Sequence, residues 1–197
     1  MSLINRAKAI LLKPEAEWRV IADEPTSIMT LFKNYACILA LIPIVGGTIG
    51  SMLTSELNQQ ISVGAVSPLS MLTNMVLDYA SGLVAIFAVA YIVNIVTPSF
   101  NGRQDLVQSV KLVIYAMTAV WLACLFLVIP PLGVLAMLAG ISYAFYLIYL
   151  GSGPVLGIPP DKVAGFSVVF ILISLVVGFI LFLLRTAVSG FNAPMVM

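Results

Sequence analysis

KLVIYAMTAVWLACLFLVIPPLGVLAMLAGISYAFYLIYL, residues 111–150, decides the fold. Two apolar runs, 111–129 and 132–150, flank Pro130-Pro131. Each run is about 19 residues long, close to the ~20 that a helix needs to cross a hydrocarbon core. Pro130 has no N–H to donate, and Pro131 disfavours helical geometry at the residue before it, so the chain reverses between the runs. The stretch reads as a membrane helical hairpin. A Gly/Pro-rich exit over 151–160 then leads to Asp161 and Lys162, the first charges after Lys111.

The rest of the chain has the same character. Of 197 residues, 61% are hydrophobic and 9% charged, whereas soluble domains carry about 25% charged residues. The fold class expected is an all-α integral membrane protein. A net charge of +1 leaves no basic stripe to track phosphates, so no nucleic-acid partner is expected. Cys37 and Cys124 both sit in apolar runs, where a thiol acts as a small hydrophobe, so neither a disulfide nor a metal site is expected. The chain has no histidine, which removes H-E-x-x-H metal sites and histidine-activated nucleophiles. Asp78 has no second carboxylate near it in the apolar spans, and no Gly-rich phosphate loop joins a strand to a helix. The reading is no enzyme and no cofactor. The first residues lack an apolar h-region and a cleavage site, so no signal peptide is expected.

Outward from the hairpin, apolar runs suggest five spans, about 30–50, 72–96, 106–129, 132–150 and 164–187. Together they make a membrane domain over 28–190, with a polar loop at 51–70 and a short tail at 191–197. Gly46 and Gly50 form a G-x-x-x-G pair in the first span. Ala136, Gly140 and Ala144 recur every four residues in the fourth. Small residues at this spacing let helix backbones approach closely in lipid, so both sets are candidate packing faces.

Residues 1–27 form the one sizeable polar segment. Leu3, Ile4, Ala7, Ile10 and Leu11 recur at helical spacing while Asn5, Arg6, Lys8 and Lys13 fall off that stripe, the pattern of a basic amphipathic helix lying in the membrane interface. Pro14 suits the first turn of a second short helix, with Glu15 and Glu17 favourably placed at its N-terminus. Trp18 is expected as an interfacial anchor. Asp23-Glu24-Pro25 ends the helix. Pro14, Trp18, Glu24, Pro159 and Lys162 are candidate contacts for a cytoplasmic partner or for lipid.

Charge sets the expected orientation. With five spans, every Lys and Arg except Arg185 lies on the N-terminal side of the membrane. The positive-inside rule then puts the N-terminus in the cytoplasm and the C-terminus outside. Asp78 is expected in the first turn of the second span and Arg185 in the last turn of the fifth, which makes them a candidate intramembrane ion pair. Lys111 should lie on the order of 10 Å from Asp78 in depth and is expected to snorkel to headgroups.

A set of residues resembles the bacterial branch of the Yip1 family. They are Tyr115, Trp121, Ile129-Pro130, Leu132-Gly133, Gly140, Tyr143, Tyr146 to Gly151, Pro154 to Leu156, Pro159, Asp161-Lys162 and Gly165. Pro14, Trp18, Ile21 and Glu24 resemble that family's opening segment. The resemblance implies five spans, a cytosolic N-terminus and a bacterial inner-membrane location. Departures at Ala119, Ser152-Gly153, Gly157-Ile158 and Phe166 suggest a looser exit from the fourth span. Eukaryotic relatives are linked to Rab-type small GTPases through longer N-terminal regions, so GTPase binding is not expected here.

Two functions remain. The preferred one is a non-enzymatic organiser or adaptor that packs against itself or other membrane proteins and presents short cytoplasmic segments. The alternative is a small transporter or channel, for which a break in the first span at Pro43, Gly46 and Gly47 would be relevant.

Overall fold

The computed structural model describes residues 2–57 and 68–191. The centre of the polar loop expected at 51–70 and the tail after Phe191 lie outside the described residues. Among the described residues every regular element is helical, and five helices are long and apolar enough to cross a membrane: Ile28–Leu53, Met71–Phe100, Leu106–Val128, Pro131–Leu156 and Pro160–Ala187. These are the first to fifth spans. Two short helices, α1 (Leu3–Leu12) and α2 (Pro14–Asp23), precede them.

The third span is the axis. Of its most apolar window 67% is buried, against 11% in the fifth span. It packs on the first, second and fourth spans, and the fifth closes the bundle against the second and fourth. Asp105 starts it as an N-cap, accepting from the Val107 and Gln108 N–H groups at 2.9 and 3.1 Å, which satisfies two orphan donors. Val110, Leu112 and Ile114 are wholly buried. The fifth span turns Leu172, Leu175, Phe179 and Phe182 outward, where lipid rather than water is the natural solvent for them.

Several boundaries differ from the sequence reading, each for a local reason. The third span tightens into a 3-10 turn over Cys124–Val128, and Ile129 is extended at φ −114°, ψ 98°. Pro130 then begins the next helix, at the position where its missing N–H costs nothing. That helix runs through 151–156, so the expected loose exit is helical, with Pro154 inside it. Gly157, at φ 70°, ends it in the left-handed conformation that glycine adopts without strain. Its carbonyls are used well: Gly157 N–H donates to Gly153 O at 2.8 Å, and Arg103 N–H to Leu156 O at 2.8 Å.

The first span is interrupted at Ala40, just before Pro43, and carries a π-turn over Phe32–Ala36. The second begins at Pro68, which places Asp78 ~15 Å along the helix rather than in its first turn. The fifth helix continues to Phe191, so Arg185 lies before its last turn. A helix-terminus explanation for either charge is thereby lost.

Candidate functional site

The N-terminal helices form a cap wedged into the bundle. Tyr143, 13 residues before the end of the fourth helix, donates its hydroxyl to Leu11 O at 2.7 Å. At 1.5 Å rise per residue, α1 therefore reaches ~20 Å down the fourth span. Ile10 and Ala7 are buried as the stripe requires, but Ile4 is exposed and Arg6 is buried. Arg6 was expected on the polar side; it points into the protein instead.

Four charges meet there. The Arg6 guanidinium pairs with both Glu17 and Glu24 and stands 5.8 Å over the Tyr115 ring, an attractive cation–π geometry. The Lys111 ammonium donates to Ile21 O at 2.8 Å and Glu24 O at 2.7 Å. Gln108 Nε2 adds a bond to Ala22 O at 3.0 Å. Lys111 thus closes the C-terminus of α2, whose last carbonyls have no intrahelical donor. It is buried at 2% exposure and does not snorkel. Two cations and two carboxylates leave the cluster neutral, the condition under which buried charge is tolerated.

Trp18, expected at the interface, is entirely buried. Its indole lies on Gly151, where a Cβ would come within 2.7 Å of the ring. Trp18 is therefore closed to an outside partner, and Glu24 is engaged by Arg6. Pro14, Pro159 and Lys162 are half-buried. Sequence reasoning missed Arg6, Glu17 and Lys111. The available signal was Glu17, Ile21 and Glu24 at i, i+4 and i+7, a mixed stripe on one face of α2.

The small-residue faces meet within the chain. A Cβ on Gly46 would lie 2.6 Å from Cys124 O, and one on Gly50 2.1 Å from Leu127 O. The first span thus lies backbone-to-backbone on the end of the third. Gly140 sits likewise on Ala119 and Ala123, while Ala144 is buried and Ala136 half-buried.

Away from the cap, side chains of all five spans line a half-open cavity of about 450 Å³. Among the described residues its polar side chains are Asp78, the Trp121 indole and two hydroxyls that already have acceptors: Tyr79 donates to Cys37 O and Ser174 to Phe170 O, both at 2.9 Å. A second space of about 300 Å³ adjoins it, sharing Pro43, Ile44 and Asp78 and adding Thr48, Ser51 and Asn74. Asp78 and Arg185 are brought together here: Arg185 Nε donates to Asp78 Oδ1 at 2.9 Å and Nη2 to Asn74 Oδ1 at 2.8 Å.

A charge swap measures that pair. Asp78→Arg and Arg185→Asp should each lower the melting temperature in mild detergent, and the double variant should recover most of the loss. A coupling of about 0.5–2 kcal/mol is expected for a polar contact between membrane helices. Two losses that simply add would show that the pair does not hold the fifth span to the second.

Comparison with curated proteins and with solved structures finds no match. A family model, the Yip1 domain, matches residues 8–182, from inside α1 to within the fifth span. The match runs through the cap, the buried third span and the hairpin at Pro130-Pro131 alike, and on it the chain belongs to the Yip1 family.

Proposed function

We propose that this protein is a non-enzymatic adaptor of a bacterial inner membrane, with its N-terminal cap on the cytoplasmic side. The carrying observation is how α2 is held. Glu17, Trp18 and Ile21 are buried in the bundle, so α2 cannot rotate, and Glu15, Arg19, Val20 and Asp23 are left exposed on a fixed outer face. A rigid surface loses little entropy on docking. The orientation follows the positive-inside rule, since Arg6, Lys8, Lys13, Arg19, Lys33, Arg103, Lys111 and Lys162 all belong to this end. The small-residue faces are spent inside the chain, which moves the expected partner contact from the spans to the cap. A transporter reading gains less support. Its pathway would need polar groups near the middle of the bundle, and the cavity's inner walls are mainly apolar.

Photo-crosslinking residues at Arg19 and Val20 test the adaptor reading in living cells, with Phe179 as the lipid-facing control. Discrete protein adducts are expected from the two α2 positions, lost when Asp23→Lys and Glu15→Lys reverse the surrounding charge, and only lipid adducts from position 179. Lipid adducts alone at all three, together with solute-selective flux in proteoliposomes, would replace the adaptor by the transporter.

A further inference from the structure

The cavity is shaped for a ligand with two chemically different ends. From Asp78 to Val89 it follows the second span for eleven residues, ~16 Å of helix. With the Tyr79 and Ser174 protons already donated, this inner part offers an occupant mainly apolar contact. Apolar cavities exclude water and take hydrocarbon instead. At the other end the wall changes character. Asp78 lies on the wall of both spaces and is bonded to Arg185, which also bonds Asn74 on the wall of the second, beside Thr48 and Ser51.

Two glycines border the space without packing against another helix. A Cβ on Gly46, Gly50 or Gly140 would strike a neighbouring helix, whereas one on Gly82 or Gly178 would meet nothing within 4 Å. Gly82 and Gly178 both line the apolar chamber. Close helix packing does not account for either. Both are exposed at the open side of the chamber, so a larger side chain there would stand at its rim.

We propose that the cavity binds one aminophospholipid of the surrounding bilayer, with an acyl chain in the apolar chamber and its head at Asp78 and Arg185. The bilayer supplies the chain, because the chamber lies among the membrane-spanning helices. Charge selects the head. The Asp78–Arg185 ion pair is complementary to a zwitterionic head, whose ammonium meets the carboxylate and whose phosphate meets the guanidinium while the pair stays joined. A purely anionic head would set its charge beside Asp78 with no ammonium to offset it. The volume falls within the ~300–1,000 Å³ usual for sites that enclose most of a ligand.

Native mass spectrometry of the full chain released from detergent tests this, with phosphatidylethanolamine and phosphatidylglycerol of identical chains as probes. One retained phosphatidylethanolamine per chain is expected, at ~tenfold preference over phosphatidylglycerol. Gly82→Leu and Gly178→Leu should each abolish retention while melting like the parent, and Asp78→Asn should erase the head preference. A second measurement uses Trp121, which lines the chamber but is only 4% exposed. In vesicles, phosphatidylethanolamine brominated on its chain should quench tryptophan emission in the parent and much less in either glycine variant. Equal retention of both lipids, or quenching unchanged by both glycine variants, would overturn the proposal and leave lipid at the outer surface only.

Discussion

Arg6→Ala should lower stability in mild detergent by about 3–5 kcal/mol, the range for removing one partner of a buried ion pair. The Arg6 and Glu17 side chains are 6% and 9% exposed, so Glu17 would be left charged and unpaired inside the protein. Glu24 is less affected because its side chain is 42% exposed. Lys111 cannot compensate, since its ammonium is held by the carbonyls of Ile21 and Glu24. The control is Arg6→Met with Glu17→Met. Exchanging a buried pair for apolar groups of similar volume is often neutral, so the double variant should melt near the parent. Arg6→Lys should recover part of the loss, because one ammonium cannot make the forked contact to two carboxylates. An Arg6→Ala protein that melts like the parent would mean that α1 is not seated in the bundle.

Gly50→Leu should cost about 3 kcal/mol, at the top of the usual range for overpacking. Its Cβ would lie 2.1 Å from the Leu127 carbonyl oxygen, a backbone atom that cannot swing aside. The first span would have to leave the 3-10 turn of Cys124–Val128. Gly140→Leu should cost about 1–3 kcal/mol, because its nearest neighbour is the Ala123 methyl at 2.6 Å. Gly82→Leu is the contrast: the same change, also in a membrane helix, meets open space and should leave the melt unmoved. If all three melt alike, the first span is not packed on the end of the third as described.

The features legible in the sequence were those set by neighbours along the chain. Run length against the hydrocarbon thickness separates spans from shorter helices, and this placed the five spans near their observed positions. Pro130-Pro131 marked the reversal because proline acts on its own residue and the one before it. The limits of the spans were less legible. Gly151 to Leu156 looked like an exit loop by composition, yet a membrane helix tolerates Gly and Pro when it is packed among neighbours, and here Arg103 N–H caps its last carbonyl, Leu156 O.

Tertiary structure alone decided who meets whom. In a soluble protein an apolar face points inward, but in a membrane apolar residues face both lipid and protein, so periodicity loses its meaning. Gly46, Gly50 and Gly140 read only as packing residues; that their partner is the third span of the same chain was not visible. The same holds for Arg6. Next to Lys8 and Lys13 it looked like part of a basic outer face, and only the return of α2 along α1 brings Glu17 and Glu24 to it. A charge is read as exposed until a partner distant in sequence is known, because its burial depends on a contact that no local pattern encodes. The cavity is of this kind too. Gly82 and Gly178 lie almost a hundred residues apart, and the space they border exists only once five helices have come together around it.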